Sequence, residues 1–250
     1  MPRRTTPPAA TRAAVPVRRR ADDDARRARL ARRRAQTAEA WARRITPPAR
    51  RAVAACWRQA LAEFARLGAL PAEALRRDWE ARLETVLLRH AIPCAAGGCH
   101  LAAAESGRSD AAPDPRAGDV ALVAADVAEA ARRAADTLLR RAAAACARSD
   151  QPGIAPRARL RRLRELAQAD ALPRAERLAR TTAARALALG LAAAWRERGF
   201  RLARWIAFSS RALCPRCRDM DGRVVPLDLG PAVLPPLHPN CRCTLAPLAG

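Results

Sequence analysis

The chain has 250 residues, 47 of them basic and 24 acidic, for a net charge of +23, and half are hydrophobic. Its longest apolar run, residues 186–195, is far short of the ~20 residues a bilayer span needs, and prolines and arginines stand where the apolar core of an export signal would lie, so membrane-spanning and secreted classes are excluded as expectations. All the basic residues are arginine, and their excess over acids predicts a polyanionic neighbour, nucleic acid first and an acidic protein surface second.

Residues 1–20 are rich in Pro, Thr and Arg without an apolar period, and read as a disordered basic arm. Asp22, Asp23 and Asp24 are placed to cap a helix running to about residue 44. The first 50 residues hold 15 Arg against 3 Asp and 1 Glu, a net +11, so one fifth of the chain carries nearly half its charge. Arg18, Arg19, Arg20, Arg32, Arg33 and Arg34 are the candidate polyanion contacts there.

Thr46-Pro47-Pro48 predicts a break, followed by a helix with Val53, Trp57, Ala60, Phe64 and Leu67 on one stripe and Gly68 as its stop. Pro71 opens another with Leu75, Trp79, Leu83 and Leu87, making an antiparallel hairpin. Residues 93–118, rich in Gly, Ser, Asp and Pro, read as a loop or linker. Asp119 caps an Ala-rich helix to about residue 148, with Val123, Val127, Ala134 and Leu138 inward. A very basic helix over 156–169 offers Arg161 and Arg162 to phosphate, and Pro173 starts the last long helix, which ends at Gly199 with Ala184, Leu187, Leu191 and Trp195 buried. Residues 200–208 and 223–227 read as strands.

Most of the apolar fraction before residue 200 is alanine and only 3% of the chain is aromatic, so the helical core should be thin. The expected organisation is an arm and first helix over 1–46, a helical region over 47–150, and a C-terminal region over 151–250 ending in a small β module from about residue 200. The fold class is mainly α, with that module stapled by zinc.

The chemistry sits in Cys214-Pro215-Arg216-Cys217, then 20 residues, then His238-Pro239-Asn240-Cys241-Arg242-Cys243. Two residues between cysteines form a tight turn that puts both thiolates on one cation, and a second group about 20 residues on closes a tetrahedron. Soft thiolates and an imidazole with no carboxylate between them suit zinc. Five donors are offered where a closed site takes four, and the spacing does not choose among them. A closed site is structural, with no open position for water. Cys94, Cys99 and His100, with His90 upstream, offer a weaker second metal grouping in the presumed loop. Cys56 and Cys146 read as core thiols. No phosphate loop, nucleophile elbow or acid pair suggests catalysis or a small-molecule substrate, so no enzyme is expected.

Arg180-Thr181-Thr182, a helix ending at Gly199, Trp205, the Cys214/Cys217 pair, Asp221-Gly222, the strand at 223–227 and the Pro235–Cys243 run together resemble the tail of the phage Mu F-type head morphogenesis proteins. The resemblance covers roughly residues 172–248. It departs from the family where Thr182 replaces an acidic residue, and where serines and Arg211 replace an aspartate before the first cysteine. By the resemblance, Cys217, Cys241 and Cys243 form the common part of the metal site, with Cys214 and His238 competing to complete it. It implies a minor capsid protein made in the host cytoplasm and then carried in the virion, inside the capsid or at the portal vertex. Its partners would be portal and capsid proteins, with non-specific contact to packaged DNA. The alternative is a zinc-ribbon DNA-binding accessory or regulatory protein.

Overall fold

In the computed structural model the described residues are 17–106, 114–148, 156–208, 214–228 and 233–248. Four long helices, α1 (Val17–Leu67), α2 (Ala72–Glu105), α3 (Ala117–Arg148) and α4 (Pro156–Glu197), pack as a bundle. The C-terminal module adds β1 (Leu202–Ile206), the short α5 (Pro215–Met220), β2 (Val224–Pro226) and β3 (Thr244–Leu248). The fold is therefore mainly α with a small antiparallel sheet of order β2-β1-β3. Ala203 faces Val225 on one side of β1 and Pro247 on the other. β3 was not anticipated, because Pro247 and the flanking coil hide its pattern. Among the described residues, no helix is long and apolar enough to cross a membrane.

Three expected breaks are absent. α1 runs through Pro47 and Pro48. Each proline removes one backbone bond, yet Ala42, Ile45, Ala49, Val53, Cys56 and Ala60 continue one buried stripe across them. Packing of that face outweighs the local penalty. α1 is described from Val17, so Asp22, Asp23 and Asp24 lie within it instead of capping it. α4 likewise runs through Pro173, merging the two helices expected there.

The third break was the loop at 93–118. α2 instead continues through Pro93 and both glycines to Glu105, and its stripe from Leu75 to Leu87 extends to Ala91, Cys94, Gly98 and Ala102. The glycines serve close approach. A Cβ on Gly98 would lie 2.6 Å from the Leu187 carbonyl oxygen, and one on Gly190 would lie 1.9 Å from that of Ala95. α2 and α4 thus touch backbone to backbone, and only a hydrogen side chain fits at either crossing point.

α4 is the hub: it packs on α1, α2 and α3. From residue 186 to 195 it is buried all round, more than the single stripe that was expected. One apolar cluster joins α4 to the upper halves of α1 and α2 and to the sheet through Trp195, Trp205 and Leu227. A second, at the far end, gathers Trp57, Phe64, Leu75, Trp79, Leu138 and Leu163. Leu67, expected on the stripe, is 49% exposed at the end of α1. Ala134 is only half-buried, with Ala131 and Ala135 taking the inward positions on α3.

Candidate metal centre

Cys214 precedes α5 in extended conformation, Pro215 fixes the first helical turn, and the Cys214 Sγ accepts the Cys217 amide at 3.3 Å. This is the turn that the two-residue spacing dictates: backbone N–H groups aim at sulfur and would steady a thiolate. The turn is held from behind. The Asp221 carboxylate accepts the Ala207 amide at 2.8 Å, and Gly222 takes a positive φ of 77° before β2 begins. On the opposite wall, Asn240 adopts φ 62° between His238 and Cys241, a left-handed turn that asparagine tolerates. The Cys241 amide closes that turn on the His238 carbonyl at 3.2 Å.

The five donors form two overlapping triads, Cys214–Cys217–His238 and Cys217–Cys241–Cys243, with the ligand atoms of each triad within 4.8 Å of one another. Cys217 belongs to both. Its Sγ lies 3.1 Å from His238 Nε2 and 3.7 Å from the Cys241 Sγ. A tetrahedral zinc with ~2.3 Å sulfur bonds has an S–S edge of about 3.8 Å and an S–N edge of about 3.6 Å. The sulfur pair matches, and the imidazole sits slightly closer. His238 Nδ1 meets the Pro239 carbonyl at 2.9 Å, which presents Nε2 to the cluster. The donor set and spacing fit a metal ion.

Crowding splits the thiols electrostatically. Cys241 is pulled down to about 5, chiefly by the hydrogen bond from Cys243. Cys217 is pushed up to about 12, mainly by burial, and Cys243 is raised by its bond to Cys241. The hydrogen bonds among the three thiols thus favour the thiolate at Cys241 over that at Cys217 or Cys243. A divalent ion would let further sulfurs ionise.

Three arginines dock this module on the bundle. Arg185 of α4 donates to the Leu234 carbonyl at 2.8 Å and the Pro236 carbonyl at 3.0 Å, and pairs with Asp126 of α3 at 3.3 Å. Arg196 donates to the Leu227 carbonyl at 3.0 Å and pairs with Asp119. Arg34 of α1 donates from Nη1 to the Leu245 carbonyl and to Thr244 Oγ1, the latter at 3.3 Å, and pairs with Glu105 of α2 through Nε and Nη2. Its guanidinium also lies 5.0 Å from the Trp195 ring centroid.

Arg34 is therefore no polyanion contact. It is 2% exposed, and its donors are spent inside the protein. Arg32, Arg33, Arg161 and Arg162 are exposed, and Arg161 pairs with Glu165 at 3.7 Å. Of the disordered arm expected over 1–20, residues 17–20 are instead helical in α1, with the Arg18, Arg19 and Arg20 side chains outside the described residues, and residues 1–16 lie outside them entirely. The second cysteine grouping dissolves: Cys94 and Cys99 are buried against α4, donating to the Ala183 and Gly190 carbonyls at 3.4 and 3.3 Å. His100 is exposed. The docking arginines were missed among so many exposed ones. One signal existed for Arg34, which falls in step with Ala31, Ala38, Ala42 and Ile45 on the buried face of α1.

Residues 127–246 match the family described as phage Mu protein F like protein. That region belongs to the Mu F-like family. The match begins well before residue 172, within α3, so the Mu F-like region takes in all of α4 as well as the cysteine module. No curated protein and no solved structure matches the chain. Membership points to phage head morphogenesis.

Proposed function

We propose that this Mu F-like chain is a minor capsid protein of a phage or prophage. It acts near the portal during head assembly in the host cytoplasm and stays with the virion. The family match over 127–246 carries the reading. Its partners are portal and capsid proteins. Exposed arginines such as Arg32, Arg33, Arg161 and Arg162 supply contacts to packaged DNA that depend on salt and not on sequence. Zinc is the cofactor we assign, because thiolates and imidazole converge without a carboxylate. Four of the five donors would close the site, so the ion cross-links the turn at 214–217 to the segment at 238–243, and the chain is not an enzyme.

Mass spectrometry of purified heads from the encoding phage should find the chain at low copy; its absence from both heads and head precursors would refute the assembly role. Protein purified reduced with metal present should carry about one zinc per chain. EDTA or Cys217→Ser should open residues 200–248 to protease while most helix signal remains. A metal-free module of unchanged protease resistance would overturn the zinc assignment. DNA binding with base preference surviving ~0.2 M salt would replace the head-protein reading with that of a DNA-binding accessory.

A further inference from the structure

A cleft of about 450 Å³ lies between α3, α4 and the segment at 236–239, beside the thiol cluster but outside it. Its walls bring together Arg133, Arg174, Arg177 and Arg185, with Thr182 and His238 also lining it. One carboxylate, Asp126, lines it, and this is held by Arg185 at 3.3 Å. Arg133 and Arg174 also meet acids, Glu129 at 3.2 Å and Asp170 at 2.7 Å. Arg177 has no carboxylate within ion-pair distance among the described residues and is exposed at the mouth. The cleft therefore keeps a positive charge that the protein does not neutralise.

Thr182 supplies the second, independent observation. Thr37, Thr46, Thr85, Thr137 and Thr181 all return their hydroxyls to the carbonyl four residues earlier, as a helical threonine ordinarily does. Thr182 does not: it is 5% exposed, and its hydroxyl finds no partner among the described residues. A buried hydroxyl without a partner loses its hydration with nothing in exchange, so it marks a place where a partner from outside belongs. An unneutralised guanidinium and an unused donor in one cleft fit an anion with several acceptor oxygens.

We infer that this cleft binds a phosphate group. The volume exceeds what a single phosphate fills, and the Leu178 and Leu237 side chains give an apolar neighbour, so the phosphate arrives as part of a larger molecule. The shared chemistry is the phosphate, borne either by a free nucleotide or by a nucleic-acid strand. This goes beyond the head role, and it does not depend on which metal fills the neighbouring site.

Calorimetric titration of the full chain with deoxyadenosine monophosphate, and with a 20-base-pair duplex, in ~0.15 M chloride separates the two sources. Arg177→Glu should weaken the bound probe about tenfold or more, and the near-isosteric Thr182→Val about three- to tenfold. Arg58→Glu, exposed on α1 outside the cleft, makes the same charge change and should weaken either probe less than twofold. Nucleotide binding with this pattern supports a free-nucleotide site; duplex binding alone with this pattern supports a strand site. Binding of neither probe, or equal losses in Arg177→Glu and Arg58→Glu, overturns the inference.

Discussion

Replacing Arg34 by Met tests whether the arginines of this chain form one electrostatic surface or two populations with different work. Met reproduces the stem of Arg34 only as far as about Nε, so packing of the stem is largely kept while the guanidinium and its four hydrogen bonds are lost. The Glu105 side chain is 13% exposed and would be left charged without its partner. The Leu245 carbonyl and the Thr244 hydroxyl would lose theirs. Removing one member of a buried pair costs about 3–5 kcal/mol. The lost stacking over Trp195 adds about 0.5–1 kcal/mol, partly offset by burial of the Met side chain. The expected loss is about 3 kcal/mol in urea unfolding followed by circular dichroism. Arg34→Met with Glu105→Gln should cost about 1 kcal/mol, about 2 kcal/mol less than Arg34→Met alone, because no unpaired charge remains. DNA affinity of the folded variant should be unchanged. A variant within ~0.5 kcal/mol of the parent that binds DNA more weakly would refute the assignment and restore Arg34 to the polyanion surface.

Gly190→Ala should cost more than about 3 kcal/mol, since the new methyl would sit 1.9 Å from the Ala95 oxygen, and Gly98→Ala should cost less; Gly118→Ala, with nothing within 4 Å, should be neutral or stabilising in the same unfolding assay. Burial pushes Cys56 up to about 12, and burial with nearby Asp119 and Glu197 pushes Cys99 up to about 11. A raised thiol stabilises the fold fully below its unfolded value of about 8.5, and loses that contribution as pH climbs through its folded value. The urea midpoint should therefore fall between about pH 8.5 and 11, and less steeply in Cys56→Ala; a midpoint that rises over this window would contradict the burial.

What could be read from the sequence divides by range. The cysteine turn, Asp221-Gly222, the inward residues of α2 and Leu187, Leu191 and Trp195 of α4 are fixed by neighbours a few positions away, so spacing alone located them, whereas Ala184, expected with them, is only half-buried. The three lost breaks had the opposite origin. Pro47, Pro93, Gly97 and Gly98 are strong local stops, and what overrides them is contact with helices far away in the chain, as at Gly98 against Leu187 and Gly97 against Trp41. An apolar stripe that stays in phase across a proline was the visible warning, present in Ala42, Ile45 and Ala49. The docking arginines were hidden for a compositional reason: with 47 arginines, residue type carries no information, and only phase does.

The same helix explains why the bundle and the cysteine module act on one another. α4 presents Gly190 to α2, Trp195 to Arg34, Arg185 and Arg196 to backbone carbonyls of the module, and Thr182 to the basic cleft. Its position is set by a backbone contact with α2 that admits no side chain, so it has little freedom to shift without opening the core. The carbonyls at Leu234 and Pro236, held by Arg185, lie just upstream of His238, so the helix anchors the segment whose own Pro239 carbonyl orients the imidazole. The segment that carries His238 also walls the cleft. A metal ion closing the thiol cluster would therefore stiffen the cleft from one side while α4 fixes the other. Within this architecture, α1 and α2 complete the core of the Mu F-like region, although the family match begins after both of them.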